Sequence, residues 1–422
     1  GIFRFCFALR KRLDCCEKSK LDCELCACGR ENEDFPFRRD MIYWEKGGRA
    51  MSFAGLLIRR ERLARAWSQE GLCRGICGTS YLSKIEQGKA AASEEVLALL
   101  FARLGLSWTD DADGALHAQT EACMEALFAG DAPAFAATFA RLRAQERTLL
   151  CSPCAADYLL LREFACEADG ERRPLDAEFV SFLDQRQLAL QRVLEGRHEE
   201  AALLYPAAAI RLWQGAHLYA CGRYAAATEA LRAAYDAAAA EGYARIMMNC
   251  RVYLGNCCSD SGDPKRMQQH YAVAQRLAEA LGDQKMLSTI RYNDAATKIE
   301  CGDFAAAYAY FAALEEPDAM SLHKLAVCCE ALGRRDEALA ALARAEAMLP
   351  EDEAHAPERQ MLALVRCRLE TPDYLHDERY GELLTNCFAL LRRERGAGYA
   401  RFHLKWMLEW YKANRRYREA CA

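Results

Sequence analysis

Cysteine is the most reactive residue type this chain offers in quantity, at 22 of 422 residues. Cys23-x-x-Cys26 has the spacing of a zinc-ligand pair, and Cys15, Cys16 and Cys28 lie close by. The second well-spaced pair that a tetrahedral site needs is missing, so no metal is expected. Cys151-Ser152-Pro153-Cys154 repeats the CxxC spacing, but it sits between helical segments without the strand context of a redox pair, and packing is the expected role. The adjacent pairs Cys257-Cys258 and Cys328-Cys329 fall near small-residue positions of helical segments, where cysteine simply packs. Asparagine offers a different chemistry. Asn249 and Asn256 are seven apart and share one face of a helix. An amide that donates and accepts at once can clamp the main chain of an extended peptide. There is no glycine-rich phosphate loop, no HExxH and no nucleophile elbow, and the eight histidines have no ligand spacing. Neither an enzyme nor a bound cofactor is expected.

The elements that must position these residues are helices. The chain is 52% hydrophobic and 28% charged, with 25 Gly and 10 Pro. That composition excludes disorder and collagen and fits a soluble protein of two or three domains. No run approaches the roughly 18 to 20 uncharged apolar residues of a membrane span, since even residues 96–106 include Arg103. The N-terminal apolar stretch is too short for a secretory signal, so a cytoplasmic location is expected. Cysteines spread thinly over a long helix-rich chain are expected to be free thiols of a reducing compartment. Charge is uneven: +2 over residues 1–50, +3 over 51–108 and −10 over the remainder. A basic head on an acidic body suits a module that meets a polyanion.

Residues 1–50 hold six of the cysteines and show no clear helix or strand pattern. Glu45-Lys46-Gly47-Gly48-Arg49-Ala50 is what a purine-rich bacterial ribosome-binding sequence would encode if read in frame, which makes Met51 the expected start of the native protein. Residues 1–50 are therefore set apart from the fold argument.

In residues 51–108, Phe53, Leu56, Leu57 and Leu63 with Arg59, Arg60, Glu61 and Arg62 between them describe an amphipathic helix ending near Trp67. Ser68 offers an N-cap for a short second helix from Gln69 to Arg74, closed by the turn Gly75-Ile76-Cys77-Gly78. Thr79 or Ser80 caps a third, in which Leu82 and Ile85 face the core and Gly88 supplies the stop. Ser93 caps a fourth, with Val96, Leu97, Leu100, Phe101 and Leu104 on its apolar face. Four short helices with a tight turn between the second and third make a compact DNA-reading unit.

These residues resemble the phage-repressor-type helix-turn-helix. More narrowly, Gly75-Ile76-Cys77 followed by Tyr81-Leu82-Ser83-Lys84-Ile85-Glu86 is similar to the version in Rgg- and PlcR-type peptide-responsive regulators. The resemblance implies that Gln69 contacts a DNA phosphate from the start of the second helix. It also implies that Thr79, Ser80, Tyr81, Ser83 and Lys84 present the recognition helix to the major groove, with Lys84 the leading base or phosphate contact. Arg62 and Glu86 match the family's partly buried ion pair, a structural feature. Double-stranded DNA is thus an implied partner, bound by a homodimer, since one unit buries little surface for specific affinity.

Beyond a short polar linker, residues 109–113, glycine, aromatic and alanine recur in register through residues 114–422, with Gly196, Gly222, Gly262, Gly302 and Gly333 marking turns. This resembles tetratricopeptide repeats, helix-turn-helix units of about 34 residues. The fold class expected is all-α: a four-to-five-helix DNA-binding domain followed by a tetratricopeptide-like solenoid. Taking Gly262 as a turn, the inner helices present Tyr219, Asn249, Val252, Asn256, Thr289, Tyr292 and His323 to a groove. Rgg- and PlcR-type regulators hold short signalling peptides with asparagines on such helices, so the resemblance implies a peptide ligand. Trp406, Met407, Trp410 and Tyr411 form a large apolar surface near the C-terminus, read as core ahead of a dimer interface. Two functions remain open: a cytoplasmic transcription regulator that senses a peptide, and a repeat-based interaction scaffold with a vestigial helix-turn-helix.

Overall fold

Where capping residues meet apolar spacing of three and four, this chain forms helices, and every regular element among the described residues is helical. The computed structural model describes residues 46–165, 175, 177–394 and 400–418, with side chains from Phe53 onward. The early cysteines, including Cys23 and Cys26, lie outside the described residues. The described residues fall into two compact units: 46–214 with 236–246, and 215–235 with 247–394 and 400–418.

The first unit begins with α1 (Lys46–Ala64), α2 (Gln69–Cys73), α3 (Thr79–Glu86) and α4 (Glu94–Arg103). Ile58, Leu72, Leu82, Ile85, Leu97, Leu100 and Phe101 are buried together at their centre. Ser68 accepts from the Gly71 N–H at 3.0 Å and Ser93 from the Val96 N–H at 3.3 Å, so both expected N-caps form. The cap of α3 differs: Gly78 holds the N-cap position with no side-chain bond, and Thr79 is already helical. Helix α1 starts ahead of Met51 and ends at Ala64, short of Trp67. Ala66 turns the chain at φ 53°, and Arg62 Nη1 fixes the turn by donating to the Trp67 carbonyl at 2.8 Å. Leu63, expected on the apolar face, is 56% exposed. Helices α1 and α3 approach closely at Gly55, where a Cβ would overlap the Ile85 carbonyl oxygen.

The polar stretch after α4 is more than a linker. Asp111 adopts φ 54° and its carboxylate accepts the N–H groups of Leu116 and His117, both at 2.8 Å, which starts α5 (Ala115–Phe128). The unit continues through α6 (Ala132–Arg143), α7 (Glu146–Leu150), α8 (Ala155–Ala165), α9 (Ala177–Val180), α10 (Gln185–Leu194) and α11 (His198–Leu204). Cys151 and Cys154 are buried, and burial pushes the Cys154 thiol up to about 11. A thiol held so firmly protonated packs; it does not attack.

The boundary between the units falls within α12 (Ala208–Ala220), α13 (Tyr224–Glu241) and α14 (Ala244–Asp260). The second unit goes on through α15 (Pro264–Ala280), α16 (Gln284–Glu300), α17 (Phe304–Ala312), α18 (Ala319–Ala331), α19 (Arg335–Met348), α20 (Ala356–Glu370), α21 (Glu378–Glu394) and α22 (Leu404–Ala413). Its rhythm comes from glycine and aspartate in tandem. Gly262, Gly282 and Gly302 take φ of 78°, 66° and 84°, a conformation only glycine adopts without strain. The Asp263, Asp283 and Asp303 that follow cap the next helix through the N–H groups of Arg266, Met286 and Ala306. Trp406 and Trp410 are buried, 8% and 9% exposed, in the core of this unit with Leu322, Leu342, Leu362 and Leu384.

Candidate functional site

Helix α2 and the turn that follows it aim α3 outward. Gly75, at φ 75°, reverses the chain after α2. Arg103 at the end of α4 donates to the Leu72 carbonyl at 3.0 Å and also to that of Arg74, so the C-terminus of α2 is satisfied by a cation. Underneath, Arg62 and Glu86 form a bidentate pair at 2.7 and 2.8 Å, with side chains 9% and 2% exposed. This pair locks α1 to the end of α3. Leu82 and Ile85, fully buried, fix which face of α3 remains outside.

The outward face carries Thr79, Ser80 and Lys84, all exposed, with Ser83 half-buried beside them. The Lys84 ammonium makes no hydrogen bond or ion pair among the described residues and is available to a phosphate or a base edge. Two of the expected contacts are partly committed elsewhere. Gln69 Nε2 donates to Glu86 Oε2 at 2.8 Å, which leaves its second amide N–H, its carbonyl oxygen and its backbone N–H. Tyr81 donates its hydroxyl to the Ala91 carbonyl at 2.9 Å, fastening the loop after α3. Ser83 Oγ accepts from Gln87 Nε2 at 3.1 Å and keeps its own proton to donate.

Residues 58–110 match the family model HTH_3, described as helix-turn-helix. The head of the chain is a phage-repressor-type helix-turn-helix domain. Among solved structures, a Rap protein complexed with Competence and Sporulation Factor is similar over 89% of this chain and 94% of that one, at 14% identity and a TM-score of 0.43. No curated protein matches the chain. In the helix-turn-helix domain, α2 and α3 hold the positions of the paired helices, and the exposed hydroxyls and Lys84 stand on α3. Among the described residues, no helix is long and apolar enough to cross a membrane, and no three His, Cys, Asp or Glu are grouped to hold a metal.

The groove residues read from the repeats are not all brought together. Asn256 on α14 accepts from Tyr271 Oη at 2.5 Å and from Asn293 Nδ2 at 3.3 Å, and one turn on Ser259 and Thr297 hydroxyls meet at 2.9 Å. This ladder joins the inner helices α14 and α16. Its acceptor use leaves Asn256 only its amide N–H groups to offer a ligand. Tyr219 stands near, its ring 5.7 Å from Tyr224 and 5.8 Å from Tyr253, and the hydroxyls of Tyr219 and Tyr224 face Asp260. Burial raises the Asp260 pKa against the opposing effect of the two tyrosines. Asn249 and Tyr292 are half-buried, the latter edge-on to Phe311 at 5.6 Å, and half-buried Thr289 donates to the Lys285 carbonyl.

Val252 and His323 correct the register. Both are fully buried at 0% exposure, Val252 in the core with Met248 and Tyr271, His323 against Phe402 and His403, so neither lines an open groove. The residue that shares this region and was not anticipated is Lys324, 8% exposed, with Nζ 3.0 Å above the Phe402 ring. Burial pulls its pKa down to about 7, while the Glu300 carboxylate works to raise it.

The His323 imidazole has no hydrogen-bond partner on either ring nitrogen, and burial holds its pKa well below 6.5. The unfolded chain therefore binds this proton first as pH falls. Stability contributed by neutral His323 is complete above pH 6.5 and is lost below it, by about 1.4 kcal/mol per pH unit. The wild-type chain is expected to lose melting temperature between pH 6.5 and 5.5 more steeply than His323→Phe. Thermal melts at both pH values check this, and parallel losses would contradict it.

Proposed function

We propose that this chain is a sequence-specific DNA-binding transcription regulator, acting as a homodimer in the cytoplasm, whose helical repeats sense a short signalling peptide. The observation that carries the DNA-binding part is the exposed face of α3, Thr79, Ser80, Ser83 and Lys84, on a helix-turn-helix domain whose core fixes that face outward. Hydroxyls of this kind donate to phosphates or accept from base edges, and an unpaired lysine supplies the charge. The peptide part is supported by the paired inner helices and their half-buried Asn249 and Asn256, whose amides can meet a peptide main chain. Peptide and DNA are coupled only if the peptide binds the two placements of the heads unequally. No catalytic step is assigned.

The test begins with a random-sequence duplex library selected for binding to the full chain. Wild-type protein is expected to enrich a motif, and Lys84→Ala is expected to bind the enriched duplex about 10- to 100-fold more weakly, the cost of one good base or phosphate contact. Failure of the wild type to enrich any motif counts against DNA reading and leaves the scaffold function.

A further inference from the structure

The second unit places a short turn of its own chain along the inner helices. Phe402 and His403, which precede α22, lie against His323 and Lys324 on α18 rather than only against their sequence neighbours. The Phe402 ring sits under Lys324 Nζ at 3.0 Å and 6.0 Å from the His323 ring, which is also 6.3 Å from His403. Arg401 is close enough for its charge to act on Asp260, at the end of α14, and on Glu300, at the end of α16. The Asp260 carboxylate is met by the hydroxyls of Tyr219 and Tyr224, and Arg401 acts on it through its charge. Farther along, Arg368 on α20 pairs with Glu330 at 2.7 Å and stacks 4.4 Å over Trp406.

A turn selected only to seal the end of a solenoid is best made of apolar side chains on an apolar bed. Burying a lysine costs several kcal/mol unless it is well paired. Here the bed holds a buried lysine, Lys324, with half-buried Asp260 and exposed Glu300 within reach of the Arg401 charge, and the turn presents an aromatic ring to the lysine. That is the chemistry of recognition.

We propose that the Arg401-Phe402-His403 turn is an internal ligand, which occupies a recognition strip on the inner helices and is exchanged for an external peptide that carries a cation beside an aromatic ring. The seat of Phe402 and His403 on Lys324 and His323 stands on the geometry alone; the exchange rests on the peptide-sensing function proposed above. A tethered segment competes at an effective concentration in the millimolar range, so the wild-type strip is closed to weak external ligands.

The probe is a fluorescein-labelled peptide with the sequence of residues 400–409, Ala-Arg-Phe-His-Leu-Lys-Trp-Met-Leu-Glu, titrated against the full chain. Phe402→Ala is expected to bind it at least tenfold more tightly than wild type, and a probe with alanine in place of its arginine and phenylalanine is expected to bind neither. Arg401→Ala, at an exposed position, provides the same comparison if Phe402→Ala lowers the folded fraction by circular dichroism. Equal affinity for wild type and variants, or no binding to a folded variant, overturns the internal ligand. Tighter binding to the variants, in a chain that enriches no DNA motif, keeps the internal ligand and removes the regulator function around it.

Discussion

Replacing Glu86 with alanine is expected to destabilise the helix-turn-helix domain by about 3–5 kcal/mol, because it strands the Arg62 guanidinium in the core. Arg62 gives Glu86 both of its bidentate bonds, and its side chain is only 9% exposed, so water cannot replace the lost partner. A guanidinium does not lose its proton in a protein, so the stranded charge has no escape by deprotonation. Gln69 loses its anchor in the same substitution and with it the fixed start of α2. Urea unfolding of the full chain, followed by a probe in the head such as Trp67 or Trp108 fluorescence, measures the loss. The double variant Arg62→Met with Glu86→Leu is expected to recover most of it, since an apolar pair leaves no buried charge. A loss below about 1 kcal/mol in Glu86→Ala would show that the pair is not buried as described.

Gly55→Ala is expected to cost about 3 kcal/mol or more, the upper part of the range for overpacking. The added methyl would overlap the Ile85 carbonyl oxygen, and a backbone atom inside a helix cannot swing aside as a side-chain tip can. Relief requires α1 and α3 to separate, which opens the contact among Ile58, Leu82 and Ile85. The intrinsic preference of alanine over glycine in a helix works in the other direction, by roughly 1 kcal/mol. The sign of the measured change therefore decides between close packing and propensity. A stabilised Gly55→Ala variant in thermal melts would mean that α1 does not approach α3 at this point.

The head was legible in sequence because caps and glycines sit at fixed offsets from the apolar residues. Ser68 and Ser93 cap as their position suggests, and Gly75 and Gly88 take the left-handed turns. Thr79 and Ser80 look like caps by type, but Gly78 lies one residue earlier in the extended conformation that starts the helix, which leaves the Ser80 hydroxyl to the surface and the Thr79 hydroxyl beside the Cys73 thiol at 3.6 Å. The end of α1 misled for a different reason. Leu63 and Trp67 are apolar and in register, yet Ala66 turns the chain before Trp67, a tertiary constraint tied to Arg62 that apolar spacing cannot reveal.

In the repeats, Gly222, Gly262 and Gly302 were visible as a period of 40, longer than the tetratricopeptide unit. Gly242 and Gly282 halve it to 20, and the period is one 17-residue helix plus a three-residue turn at α15 and α16. The groove was harder to read. His323 and Val252 lie on inner helices, but which face of such a helix meets solvent depends on what covers it, and the Phe402 turn arrives from about 80 residues away. Lys324 went unread because lysine is almost never fully buried unless paired, and its partners, Glu300 and the Phe402 ring, are distant in sequence.

The central claim is that α3 reads DNA, and the salt dependence of binding tests it most directly. A duplex enriched by the wild-type chain is titrated with full-length protein at 50, 100 and 200 mM salt. Neutralising several phosphates releases their counterions, so log affinity is expected to fall linearly with log salt, with Lys84→Ala reducing the slope by about one. A complex whose affinity is flat across that range, or whose slope Lys84→Ala leaves unchanged, would contradict DNA recognition through this face.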